Sequence, residues 1–270
     1  MTLKRFKPIT PTLRFLVRLN KSNLLTKTSF LPLVFGKAKT AGRNFSGKIT
    51  VYHRGGGNKK NIRFLEYKRL LWNVNALVLS IEYDPYRSSF IALLRYHVFD
   101  NLLMKTVFSY ILAPHLLYPG NFICASIKGD LKPGFTMLLK NIPFGTLVHN
   151  IELIPGNGGI FVRSAGTFGQ VIKKVNSFVT IRLPSHILYD FREDCMATIG
   201  MISNFDNKNI VLGKAGSSRW LGRRPVVRGV AMNPVDHPHG GNTSGGRPSV
   251  TPWGRPTKGF KTVKKKKRNL

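Results

Sequence analysis

Residues 231 to 241, AMNPVDHPHGG, set one carboxylate and two imidazoles within four positions. Asp236, His237 and His239 are residue types that hold metals, orient nucleophiles or move protons near neutral pH. Each chemistry makes further demands. A metal centre needs three or four ligands in suitable geometry. The other histidines (His53, His97, His115, His149 and His186) are scattered, and Cys124 and Cys195 stand alone in sequence. No resident metal is therefore expected. A serine-type triad needs its nucleophile on a rigid element, often a strained GxSxG turn. No such turn occurs, and Ser244 and Ser249 sit in Gly/Pro-rich sequence. Two readings stay open from the residues. Asp236 either orients His237 or caps a polar turn around Pro234 and Pro238, and the partner of the histidines is another molecule.

The segments that must present this cluster are defined by charge. The 270 residues carry 43 Lys plus Arg against 11 Asp plus Glu, a net charge of +32. Residues 1 to 69 contribute +16, residues 70 to 202 only +3, and residues 203 to 270 +13. A nearly neutral middle thus carries two cationic arms. Such arms repel themselves until a polyanion neutralises them, and nucleic acid is the commonest polyanion. A membrane surface is the rival, but it calls for a basic amphipathic helix or a span of about 18 apolar residues. Here the basic residues are interleaved with Gly and Pro, and the apolar stretches are strand-sized. No membrane partner is expected. The two isolated cysteines argue against a disulfide scaffold and suit a reducing compartment.

The middle reads as all-β. Short apolar or β-branched runs recur between turn signals at 76–83, 89–96, 105–112, 122–127, 135–139, 146–153, 170–175, 178–183 and 186–191. Such spacing fits barrels or sandwiches, and no segment carries a sustained 3.6-residue stripe. Gly129-Asp130 and Pro133-Gly134 mark the best internal break, which divides the middle into two small barrels. We expect a basic N-terminal arm over 1–60, one barrel over 61–129, a second over 130–202, and a basic C-terminal extension over 203–270. That extension holds ten Gly and six Pro in 68 residues, too many for a regular core.

Several motifs point to phosphate contact. His53-Arg54-Gly55-Gly56-Gly57-Asn58-Lys59-Lys60 is a glycine cluster bracketed by cations. It lacks the spacing and helix of a nucleotide-binding P-loop, but it suits backbone amides pressed against polynucleotide phosphates. Gly156-Asn-Gly-Gly159 followed by Arg163-Ser164-Ala-Gly-Thr167 reads equally as a hairpin loop or as an RNA grip by Arg163, Ser164 and Thr167. Lys214, Arg219, Arg223, Arg224 and Arg228 place five cations in 15 residues beside Trp220, with no acid. Arg255 and Lys258 continue the series past Trp253. Tyr52, Trp220 and Trp253 lie among these cations, where aromatic rings stack on bases or sugars. The lysine run 264–268 alone would be an ordinary solvated tail. From residues alone, a free nucleic-acid-binding regulator also fits.

These same residues carry a resemblance. SRWLGRRPVVRGVAMNPVDHPHGG, with VTPWGRPTKGFKT after it, closely resembles the universal large-subunit ribosomal protein family numbered two. GRNFSGKITVYHRGGGNKK, IEYDPYRSSFIALL, YILAP, NIPFGTLVHNIELIPGNGG, RSAGT, ATIG and LGKAGSSRWLGRRP follow the family's order, from about Gly42 to Thr262. The resemblance implies a mainly β fold with an oligonucleotide-binding-type barrel, an SH3-like barrel and extended basic arms. It implies a structural, primary rRNA-binding protein near the peptidyl transferase centre that supports subunit association, tRNA binding and peptide-bond formation. The expected partners are large-subunit rRNA, neighbouring large-subunit proteins and small-subunit rRNA across the subunit interface. No cofactor is implied beyond structural Mg ions held with the rRNA. The chain is not expected to be an enzyme. The family's implicated histidine matches His237, with Asp236, His239, Gly240 and Gly241 around it, in a role of contact and positioning rather than proton transfer.

The chain departs from the family at Asn58, where His is usual, at Met196, where Arg is usual, and at Asn242-Thr-Ser-Gly, where Gly-Glu-Gly is usual. It also stops at Leu270, short of the usual basic extension. The family's opening aligns close to Met1 through KPITPTLR, so no cleavable presequence is expected. Eighteen Phe with abundant Asn, Lys and Ile suggest an AT-rich gene. Together these favour an organelle-encoded protein of the mitochondrial ribosome, with plastid or bacterial origin as the alternative.

Overall fold

The computed structural model describes residues 3–20, 29–100, 103–242 and 247–259. The lysine run at 264–268 and Ser244 lie outside the described residues. The chain divides into two compact units: Met1–Lys39 with Asn58–Ser217, and Thr40–Gly57 with Ser218–Leu270.

The first unit is built on two antiparallel sheets. Strands β1 (Ala76–Tyr83), β2 (Phe90–Asp100), β3 (Leu103–Leu112) and β4 (Phe122–Ile123) pair in the order β3-β2-β1-β4. Strand β1 buries Ala76, Val78, Ser80 and Glu82, but a register shift between Val78 and Ser80 turns it over: Ala76 and Val78 lie opposite Tyr96 and Leu94, whereas Ser80 and Glu82 lie opposite Leu93 and Ile91. Strand β2 instead runs Phe-Ile-Ala-Leu-Leu without a polar break, because it is buried on both faces. Phe90, Ala92, Leu94 and Tyr96 pack with Ala76, Val78, Ile111 and Ile123. Ile91 and Leu93 pack on the other side with Leu65, Tyr110, Leu112 and Ile202. A buried carboxylate is tolerated only when hydrogen-bonded. Glu82 meets that condition by accepting from Ser80 Oγ and from the Tyr110 hydroxyl at 2.8 Å. The Phe30 amide donates in turn to that hydroxyl at 2.9 Å.

The second sheet contains β5 (Thr136–Leu138), β6 (Leu147–His149), β7 (Gly169–Val175), β8 (Phe178–Arg182), β9 (Leu188–Arg192) and β10 (Met196–Ile199), in the order β9-β8-β7-β6-β10-β5. It encloses a separate core of Met137, Leu139, Val148, Ile151, Val171, Ile181, Phe191 and Ile199. The mainly β fold expected from the sequence is what the structure shows. His149 is buried in β6, its Nδ1 2.8 Å from the Gly200 carbonyl, and desolvation pushes its pKa down to about 4. Cys124 and Cys195 are both free and buried, and burial raises the Cys195 thiol to about 11.

Several elements go beyond the sequence reading, including strands Leu3–Arg5, Val17–Leu19, Val34–Gly36 and Asn61–Arg63 in the expected basic arm and at its edge; two others are instructive. Strand β10 was not among the expected runs: all four of its residues, Met-Ala-Thr-Ile, are buried, so it offers no alternation to read. The extension also contains one short α-helix, Ala215–Trp220, too brief to leave a periodic stripe.

The second unit joins two distant pieces of chain. Arg54 and Arg223 form an isolated antiparallel bridge, the Gly55 amide donates to the Gly222 carbonyl, and the Arg224 amide donates to the His53 carbonyl, both at 3.0 Å. A side chain at Gly57 would meet the Gly222 nitrogen and Trp220 oxygen at 2.6 Å, so this close approach of backbones requires glycine. Among the described residues, no helix of either unit is long and apolar enough to cross a membrane.

Candidate nucleic-acid interface

The predicted contact residues fall into separate groups. In the second unit, the pairing just described brings His53, Arg54 and Gly55 to Gly57 beside Arg223 and Arg224. His53 is fixed there with Nδ1 3.1 Å from the Pro225 carbonyl. Arg219 lies in the last turn of the short helix, and its Nη1 donates to the Arg223 carbonyl. Arg228 is the N-cap of a 3-10 turn over Gly229–Ala231. Trp253 and Arg255 belong to a turn closed by the Thr251 and Gly254 amides, and Lys258 is exposed after it. This unit contains 16 Lys plus Arg and a single acid, Asp236. With so few internal anions, its cations are available to an external polyanion.

Lys59, Lys60 and Lys214 belong to the first unit instead. So does the group around Arg163, where Ser164 and Thr167 form a turn and the Ala165 amide donates to Ser88 Oγ. Arg163 stacks its guanidinium 4.6 Å from the centre of the Tyr67 ring. Arg87, which the sequence reading did not single out, donates from Nε to the Tyr67 hydroxyl at 3.1 Å and pairs with the buried carboxylate of Asp84. Tyr67, Tyr86, Arg87, Arg163, Ser164 and Thr167 line one open groove. The signal for Arg87 was present in the stretch Asp84-Pro-Tyr-Arg87, but only the fold shows two arginines converging on Tyr67. The neighbouring glycine loop is fixed from inside. The buried Glu152 carboxylate accepts from the amides of Gly158 at 2.9 Å, Gly156 at 3.3 Å and Met196 at 3.0 Å. Those glycine amides are therefore committed to Glu152, and the groove presents side chains.

The histidine loop has a definite internal logic. His237 is buried, and its Nδ1 accepts from the His239 amide at 3.0 Å. An Nδ1 that accepts carries no proton, so the neutral ring holds its hydrogen on Nε2. His239 Nε2 lies 2.8 Å from the Pro248 carbonyl, and Arg247 Nη1 donates to the Pro238 carbonyl. The rings of His237 and His239 lie 4.8 Å apart. Glycines make room for this packing: a Cβ on Gly229 would sit 2.6 Å from His237 ring atoms, and one on Gly240 would sit 2.2 Å from the Asn233 oxygen. The expected role of Asp236 as the residue that orients His237 is replaced by the His239 amide. The Asp236 side chain is exposed and, among the described residues, makes no hydrogen bond or ion pair with His237. Its backbone amide closes the turn onto Asn233. Among the described residues, no group of three or more His, Cys, Asp or Glu is placed to hold a metal ion.

The β-sheet body with its arginine-lined groove and the acid-poor unit have the charge that suits a polyanionic partner. Comparison with known proteins makes the class specific. Residues 31–125 match the family described as "Ribosomal Proteins L2, RNA binding N-terminal domain", and residues 132–254 match its C-terminal domain. The chain is 53% identical to the "Large ribosomal subunit protein uL2m" of Reclinomonas americana, over 100% of this chain and 96% of that protein. It is 48% identical to the uL2 protein of Rhodospirillum rubrum over 99% and 94%, and 51% identical to that of Rickettsia canadensis over 99% and 96%. The chain belongs to the L2 family of ribosomal proteins. These relatives are ribosomal proteins and not enzymes.

Proposed function

We propose that this chain is a structural protein of the large ribosomal subunit that binds large-subunit rRNA through both of its units. The observation that carries this is identity of about half the residues, over the whole chain, with large-subunit proteins. The acid-poor second unit and the Tyr67 groove supply the chemistry. Guanidinium groups fork across phosphate oxygens, and exposed rings stack on unpaired bases. Within the subunit, the histidine loop reaches toward the peptidyl transferase centre. There the protein supports tRNA binding, subunit association and peptide-bond formation by holding RNA in place, with neighbouring large-subunit proteins and small-subunit rRNA as further partners. His237 has Nδ1 engaged and its hydrogen on Nε2, so it offers RNA a donor rather than a base. The resident ribosome is mitochondrial and the gene organellar, as the similarity to a mitochondrial relative and the composition both favour.

Two measurements test this. After fractionation of organelle and cytosol, the protein should sediment with the large subunit of the organelle. Recovery as a free protein, or in the cytosol alone, refutes the assignment. Affinity for large-subunit rRNA should fall by about 10³–10⁵ between roughly 50 and 200 mM salt if some six to ten phosphates are contacted. A flat dependence refutes RNA binding by the cationic arms.

A further inference from the structure

We infer that Tyr52 and Trp253 form a clamp that takes one unpaired RNA base between their rings, an inference that rests on the rRNA-binding reading above. The two residues are 201 positions apart in sequence, yet both belong to the second unit. Their ring centres lie 6.3 Å apart and their planes are inclined by 52°, the spacing of an aromatic pair. Both rings are more than half exposed, at 57% and 70%, so neither anchors an apolar core. Single exposed aromatics are ordinary on a protein surface, but these two are brought together from distant parts of the chain. A base stacked on both faces needs ring planes about 6.8 Å apart, twice the ~3.4 Å rise between stacked bases. To admit a base, the two exposed side chains must turn parallel and part until their planes reach that spacing.

The surroundings select a nucleotide as the occupant. His53 follows Tyr52, its ring 6.4 Å from the tyrosine ring. Backbone pairing places Arg54, Arg223 and Arg224 beside His53. A base held between the rings would bring its phosphates to the chain segments that carry these arginines. An apolar protein ligand would leave the same cations uncompensated. The base must be unpaired, because a helix does not expose both faces of a base, and stacking of this kind is tolerant of base identity.

The test uses the full chain and a large-subunit rRNA transcript at fixed salt. Tyr52→Leu and Trp253→Leu should each weaken binding by about 5- to 150-fold. The combined variant should be no more than about twofold weaker than the worse single, because losing either ring releases the base. Tyr52→Phe should bind within about twofold of the parent chain, which also shows that the hydroxyl is not the contact. The slope of log affinity against log salt should not change in any of these variants. The clamp is overturned if either leucine variant binds within twofold of the parent, if the two losses multiply, or if the salt slope falls. A parent chain with salt-independent binding overturns the rRNA reading itself, and with it the clamp.

Discussion

Replacing His237 separates its two ring nitrogens. Asparagine places an amide oxygen near the position of Nδ1, whereas glutamine reaches the position of Nε2 and gives up the Nδ1 acceptor. In the structure Nδ1 accepts the His239 amide at 3.0 Å inside a buried site. A net hydrogen bond is worth about 0.5–1.5 kcal/mol, and a buried amide left without a partner costs about 1–3 kcal/mol. His237→Gln should therefore destabilise the loop locally by about 1–2 kcal/mol, and His237→Asn by a few tenths. One or two kcal/mol corresponds to roughly 5- to 30-fold in an equilibrium. Amide hydrogen exchange on the full chain, read at His239 or on a peptide spanning 229–242, should accelerate by that factor in the glutamine variant. It should change less than threefold in the asparagine variant. Peptide transfer by subunits assembled with the asparagine variant should then report Nε2 alone, since the loop is intact. If both variants accelerate exchange equally, or neither does, Nδ1 is not the cap and the tautomer argument fails.

Arg223→Gln, Arg224→Gln and Arg228→Gln together should lower the salt slope of rRNA binding by about 2–3 and weaken incorporation into the subunit, checked by filter binding and sedimentation. An unchanged slope would remove these arginines from the interface. Gly57→Ala should cost more than about 1 kcal/mol, because its φ is +75° and the new methyl meets backbone atoms at 2.6 Å. Gly56→Ala, with a φ of +63° but open space around its Cβ position, should cost less; limited proteolysis near Arg54 and Arg223 compares the two. His149 has a folded pKa near 4 against about 6.5 when unfolded. The unfolded chain takes up the proton first, so stability is full above pH ~6.5 and falls by roughly 3 kcal/mol as pH drops toward 4. Urea unfolding at several pH values should show this loss, and His149→Gln should remove most of it.

How much of this was legible in the sequence depended on which physical signal each residue carries. Strand β1 was read end to end, because its apolar and β-branched run is bounded by turn signals, but the register shift between Val78 and Ser80 that sends its residues to both faces left no mark in the sequence. Strand β2 was read as a strand, but its double burial needed the two clusters on either side of it. Strand β10 left no trace, since four buried residues in a row have no period. Charge asymmetry divided the sequence into two cationic stretches and a nearly neutral middle, yet it could not show that 1–39 belongs with 58–217 and that 40–57 and 218–270 fold together, because backbone pairing between Arg54 and Arg223 leaves no mark in composition. In the histidine loop the residue types were informative and their partners were not. The carboxylate beside His237 was read either as its orienting group or as a cap of the turn, while the actual partner of Nδ1 is a backbone amide that any residue at position 239 other than proline would supply. The Tyr67 groove was half visible, through Arg163 and its neighbours; Arg87 joins it only in three dimensions.

The discontinuous second unit has a consequence for how the chain is made. Its first piece ends at Gly57 and its second begins at Ser218, so about 160 residues are synthesised between them. At roughly 5–20 residues per second, the segment around His53 and Arg54 waits on the order of 10–30 s for its pairing strand. During that interval the residues of all three buried clusters of the first unit are synthesised, while the segment 40–57 has only its own internal hydrogen bonds, such as those of the Thr50 and Val51 amides to the Gly42 carbonyl, to order it. Arg54 and the triple glycine can meet phosphates before they meet Arg223. The order of emergence therefore sets a competition between completing the unit and capturing nucleic acid. Slowing elongation between codons 58 and 217 should shift that competition toward early RNA capture.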